Sequence, residues 1–210
     1  MAVTRDSGAW LMPTEPMKDT AIVWDPPHRC VSREQEGDWF NQVEFAIEGD
    51  AEGSYVRYVH SGIFDDDWDN QHDGASKHTK FYMHSLGEYL RWFRGLPYRH
   101  TEVSAPPVSA LAAGLDAIRN HFAMDSSTAV GTSIQLPTAL AHFGPATLDY
   151  HDAYFIGLRT SDALIRVFGR NHFGAPVGVG IYQYGDHDTS IDEVSKEWSR
   201  WLDGVYGGAA

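Results

Sequence analysis

Between residues 38 and 94 the apolar pattern of this chain changes period, and that change constrains the fold more than any other feature. Over residues 38–48, Val43, Phe45 and Ile47 fall on one side and Glu44 and Glu48 on the other. A period of two is that of a half-buried strand. The polar, glycine-bounded stretch Gly49-Asp50-Ala51-Glu52-Gly53 interrupts it, and Tyr- and Val-rich sequence resumes over residues 54–60. Two strands joined this way form an antiparallel hairpin. Upstream, residues 20–24 and 29–33 read as shorter strands broken by Pro26-Pro27, which a central strand excludes. From residue 77 to 94 the spacing becomes three and four, through Tyr82, Met83, Leu86, Tyr89, Leu90 and Phe93. That stripe predicts an amphipathic helix of about five turns. Gly95 and Pro97 end it, glycine at the stop and proline beyond.

Residues 95–107 hold Gly95, Pro97, Pro106 and Pro107 and no periodic apolar pattern. They read as an interdomain linker. The sequence-based domain plan is therefore 1–95, a linker over 96–107, and a second small α+β unit over 108–210. The second unit opens with a helix through Leu111, Leu115, Ile118 and Phe122. Short strands follow near 132–136, 146–150, 154–159, 163–168 and 177–184. A last helix starts at a capping box, Ser190 with Glu193, and lines up Ile191, Val194, Trp198, Trp201, Leu202 and Val205.

The chain has 210 residues, 42% hydrophobic, which is ample for a buried core. It contains no apolar run of about 18 residues that could cross a bilayer, and residues 1–17 lack the apolar centre of a secretory signal. A single cysteine, Cys30, suits a reducing compartment, so the expected location is cytoplasmic. The net charge of −13 argues against nucleic acid as a partner, because polyanion binding needs clustered Lys and Arg. The basic residues Lys77, Lys80, Arg91, Arg94 and Arg99 read as a solvated helix face or as a contact for an acidic partner.

Catalytic and metal motifs are largely lacking. Asp65, Asp67 and Asp69 match the opening of a calcium loop, but Asn70 stands where that loop needs glycine and Ser76 where it needs a bidentate glutamate. An acidic turn favouring the N-terminus of the next helix explains it better. His72, His78 and His84 are six apart and point in different directions on a helix. No Gly-x-Ser-x-Gly elbow occurs. Gly178-Val179-Gly180 lacks the third glycine of a dinucleotide fingerprint and runs on into strand-like sequence. Cys30 reads as an inert, small hydrophobe. No catalytic residue, metal or cofactor is expected.

Four pieces of the first half carry a family likeness: Trp24-Asp25-Pro26-Pro27-His28-Arg29, His60-Ser61-Gly62, Asp66-Asp67-Trp68-Asp69, and the ten residues from Phe81 to Leu90. In order and spacing they resemble the activator-of-heat-shock-protein-ATPase homologues of the START-like (SRPBCC, helix-grip) superfamily. The likeness covers residues 19–95. It implies an α+β helix-grip fold, a curved antiparallel sheet packed on a long helix, with an apolar cavity between them. The ligand-binding candidates are then Val43, Phe45, Ile47 and Tyr58 from the sheet and Tyr82, Met83, Leu86 and Phe93 from the helix. Family domains begin with a strand and a helix pair, and residues 8–16 carry no helical pattern, so the chain reads either as a truncated tandem member or as one in which another element replaces that wall of the cavity. The expected function is non-enzymatic, namely binding a hydrophobic small molecule or acting in regulation or stress response. The alternative is a co-chaperone or interaction module, with a chaperone or a second copy of the chain as partner. An enzyme using a cavity His and Asp comes third. No membrane partner is expected.

Overall fold

The computed structural model of the chain describes residues 21–62 and 68–207. The architecture is α+β, with two antiparallel sheets and a C-terminal helix. The chain divides into two compact units, the first ending at His72 and the second beginning at Asp73. The acidic turn at 65–67 and residues 1–19 lie outside the described residues.

The first unit is a four-stranded meander of β1 (Ala21–Asp25), β2 (Arg29–Glu36), β3 (Trp39–Gly49) and β4 (Ser54–Gly62), paired in that order. Pro26 and Pro27 sit between β1 and β2, with a cis bond between them. The β2–β3 turn passes through Gly37 at φ +60°, a left-handed conformation that glycine adopts without strain. Asp50 closes the β3–β4 turn by accepting from the amides of Glu52 (2.8 Å) and Gly53 (3.1 Å). Phe45 pairs with Tyr58 in register, and their rings meet edge-on at 5.1 Å. On the opposite face Glu44 bridges Arg29 (3.3 Å) and Arg57 (3.0 Å).

Helix α1 (Trp68–Trp92) belongs to the second unit from Asp73 onward. Behind it come β5 (Tyr98–Ser104), α2 (Gly114–His121), β6 (Ser133–Ile134), β7 (Ala146–His151), β8 (Phe155–Arg159), β9 (Ala163–Phe168), β10 (Gly178–Tyr184) and α3 (Ile191–Gly207). The strands form one antiparallel sheet in the order β5-β10-β9-β8-β7-β6. Side chains alternate across a strand, so each strand serves both faces. Leu148, Ile156, Leu158, Ile165, Val167, Val179 and Ile181 form one apolar core with Leu115 and Ile118 of α2 and Val194, Trp198 and Leu202 of α3. The alternate positions Phe155 and Phe168 pack on Phe81 of α1, at 4.9 and 5.4 Å between ring centres. Phe93 stacks on Tyr184 at 4.3 Å. The capping box of α3 is in place: the Glu193 amide donates to Ser190 Oγ (3.2 Å) and the Ser190 amide to Glu193 Oε2 (2.9 Å).

Three expectations need correction. Residues 98–104 are not linker. They form β5, paired with β10 from Tyr98↔Tyr184 to Ser104↔Gly178. Alternation there puts Tyr98, His100 and Glu102 on one face and Arg99, Thr101 and Val103 on the other, so neither face is continuously apolar and the strand carries no hydrophobic period. The unit boundary consequently falls at 72/73 and not in 96–107. Within the second unit, Phe81 and Phe93 of the predicted helical stripe pack on β8, β9 and β10. The second-half helix also starts later than its pattern suggests, since Leu111 is exposed and precedes α2.

Candidate ligand-binding site

The α1-facing side of the six-stranded sheet holds charge where a core would hold carbon. Its centre is Arg166 on β9, whose side chain is 1% exposed. In register with it stand Gly157 on β8 and Gly180 on β10, and Gly180 in turn pairs with Glu102 on β5. Gly157 makes room for the guanidinium and Asp149. A Cβ at Gly157 would lie 2.4 Å from Asp149 Oδ1 and 2.8 Å from Arg166 Nη1, so no larger residue fits.

Arg166 Nη1 donates to Asp149 Oδ2 (2.9 Å) and to the carbonyls of Leu158 (3.3 Å) and Ile165 (3.2 Å). Asp149 sits where the β7–β8 register shifts between Leu148 and Tyr150. Its other oxygen, Oδ1, lies 3.1 Å from Nε2 of His84, a half-buried residue of α1. The Phe81 ring centre is 5.6 Å from the Arg166 guanidinium carbon. Among the described residues, Arg166 Nε and Nη2 are buried with no hydrogen-bond partner.

Two further ion pairs flank this centre. Glu88 of α1 is buried, meets Arg159 at 3.2 Å and Arg91 at 3.8 Å, and Arg159 lies over the Trp92 ring at 4.0 Å. Glu102 meets Arg170 at 2.6 Å, and Arg170 lies over Phe168. Its guanidinium occupies the space above Gly178, where a Cβ would come within 2.9 Å. His100 leans over Gly180 and packs on Tyr182 at 4.3 Å between rings, with Nε2 buried and unpartnered among the described residues. Burial holds the His100 imidazole below its ordinary range, against the smaller opposing pull of Glu102. Burial likewise lowers His78, whose Nδ1 donates to the Gly74 carbonyl at 2.8 Å. Burial pushes the Tyr182 and Tyr184 phenols up, and burial with the Asp152 hydrogen bond lifts Tyr150 to about 12.

His84 and Asp149 form an acid–base pair, but the hydroxyls beside His84 are engaged elsewhere. Ser85 donates to the Phe81 carbonyl (2.9 Å) and Tyr150 to Asp152 (2.9 Å). Among the described residues no group of three or more His, Cys, Asp or Glu is placed to hold a metal ion.

The eight ligand-binding candidates fall in two units, four in each. Val43 is buried on β3, and Phe45, Ile47 and Tyr58 are half-buried. Phe93 is buried on Tyr184, Tyr82 lies 5.7 Å from Phe168, and Met83 and Leu86 are half-buried. Of the five basic residues singled out between 77 and 99, three are engaged within the second unit. Lys77 pairs with Asp73 and lies over Tyr154 at 4.1 Å, Arg91 meets Glu88, and Arg99 donates to Gln183 (3.0 Å) and the Thr189 carbonyl.

Sequence reasoning missed Arg166, Asp149, His84, His100 and Glu102. A signal was present: Arg166 is the one charge in the apolar strand Ala-Leu-Ile-Arg-Val-Phe, with strand glycines at 157, 178 and 180 nearby. Comparison with known proteins found no matching family model, no matching curated protein and no matching solved structure. No helix among the described residues is long and apolar enough to cross a membrane.

Proposed function

We propose that this chain binds a small molecule without transforming it, and that its site is the α1-facing side of the six-stranded sheet. The observation that carries the proposal is the enclosed Arg166 guanidinium, whose Nε and Nη2 have no partner among the described residues. A buried donor left unpaired costs about 1–3 kcal/mol, so a purely structural arginine gains by closing that edge. Binding sites combine apolar walls with a few converging polar groups, which is how Phe81, Phe168 and Tyr182 stand around Arg166 and His100.

The START-like resemblance enters as order along the chain: a four-stranded meander followed by a long helix. A helix-grip arrangement in its finer sense, a cytoplasmic setting and a regulatory or stress-response role all rest on that resemblance and on the lone cysteine. So do a chaperone partner and a homodimer, and Lys77 and Arg91, engaged by Asp73 and Glu88, lend neither any support. The preferred site differs from the one the resemblance implies, because Phe93 and Tyr82 pack on β9 and β10.

A second reading, an enzyme, is favoured by one observation. Asp149, anchored by Arg166, would orient His84 for proton transfer. Native mass spectrometry of the purified full chain separates the two. Binding predicts a retained molecule that is released on denaturation and lost from Arg166→Gln. Substrate turnover abolished by His84→Ala would overturn the binding reading in favour of catalysis.

A further inference from the structure

We infer that the ligand is recognised through a planar, singly charged carboxylate held side-on by Nε and Nη2 of Arg166. The inference rests on the small-molecule-binding reading and names the chemistry of that site. In a guanidinium, Nε–H and an Nη2–H form one straight two-donor edge, and a carboxylate is the planar group whose two oxygens match it. Here the rest of the guanidinium is already fixed, because Nη1 is held by Asp149 and two carbonyls. The recognising edge is therefore oriented before any ligand arrives, which lowers the cost of binding.

The Gly180 flank is the less crowded neighbour of Arg166. A Cβ added at Gly180 would touch the rings of Tyr182, His100 and Phe168 at 3.4–3.5 Å, so those side chains must part to admit the group. The Gly157 flank is filled to 2.4 Å by Asp149 and admits nothing. The Gly180 flank offers one further polar atom, His100 Nε2, which has no partner among the described residues. A neutral imidazole there can donate to a ligand oxygen.

Charge balance disfavours a dianion. Arg166, Arg159 and Arg170 are already opposed by Asp149, Glu88 and Glu102 in close pairs. Each further buried negative charge is costly and must be offset by hydrogen bonds. A carboxylate adds one such charge and meets it with two charge-assisted bonds on the Nε–Nη2 edge, whereas a phosphate dianion adds two.

The test is calorimetric titration of the full chain with acetate and with acetamide, its neutral isostere, at constant ionic strength. Acetate is expected to bind at least about tenfold more tightly, the range of a charge-assisted hydrogen bond. Gly180→Val, which fills the flank where the group must enter and leaves the Arg166–Asp149 pair intact, should weaken acetate by about tenfold or more. Arg166→Lys, which keeps the charge and loses the fork, should do the same. A series from acetate to hexanoate tells the two sources apart. Affinity rising with length marks the head of an apolar ligand, and flat or falling affinity marks a free small anion. Both support the carboxylate. Equal binding of acetate and acetamide overturns it, as does a neutral co-purified molecule with no acetate binding, and in both cases the small-molecule reading stands. No retained molecule and no binding of either compound overturns both.

Discussion

On one face of the six-stranded sheet, aliphatic residues of β7 to β10 meet Trp198, Val194 and Leu202 of α3 in a core without charge. On the other face the same strands present Arg166, Asp149 and Arg159, with Glu88 and His84 arriving from α1. Strand alternation makes the contrast sharp, since Ile165 and Val167 flank Arg166 in sequence and point the other way. The first face can account for the stability of the second unit by burial alone. The second carries a desolvation cost that hydrophobic residues of similar size would avoid. The proposed binding site lies on the face that carries this cost.

The largest expected effect lies on the apolar face. Trp198→Ala removes a fully buried indole and should cost about 3–5 kcal/mol in denaturant unfolding. A cost below about 1 kcal/mol would mean that α3 does not form the core.

The polar face should respond differently to single and double replacement. Arg166→Met leaves Asp149 buried without its cation and should cost about 3–5 kcal/mol. Adding Asp149→Leu should recover most of that loss, because the pair is replaced by apolar volume. A double variant as unstable as the single one would show that the pair does hold the fold together, and the contrast between faces would lose its meaning.

A smaller effect concerns acid. Burial depresses both His100 and His78, so the folded state favours their neutral forms. Between the depressed folded value and the ordinary value near 6.5, the unfolded chain binds more protons, and stability rises with pH there. Their contribution is complete above about 6.5 and is lost as pH falls through the folded values. Melting curves from pH 8 to 5 should therefore be flatter for His100→Phe than for the wild type. An unchanged slope would place His100 in water.

The smallest effect belongs to the first unit. Arg57 is more than half exposed in its pair with Glu44, and Arg57→Ala should change stability by less than about 1 kcal/mol. Urea unfolding of the two proteins measures it, and a larger loss would give the four-stranded sheet a charged centre comparable with Arg166.

What was legible in the sequence follows from the same contrast. The strands of the apolar face, and the Ser190–Glu193 cap of α3, announce themselves by period and by local hydrogen bonding. Strand β5 does not, because His100 and Glu102 occupy positions that a hydrophobic count expects to be apolar. The α1 pattern showed a helix but turned it slightly. Its most buried positions are Phe81, Glu88 and Phe93, whereas Leu90 is 49% exposed. A carboxylate inside the buried stripe is invisible to an argument built on apolar spacing, and the stripe says nothing about which sheet receives it. Gly157 and Gly180 could be read only as strand glycines until Arg166 was seen between them.

The central claim is that the free edge of Arg166 is a receptor and not a flaw in a core. A crystal structure of the full chain grown in acetate tests it most directly. The account predicts two carboxylate oxygens about 2.7–2.9 Å from Nε and Nη2, over Gly180. A lone ordered water on that edge, or side chains closed over it with acetate excluded, would contradict the claim.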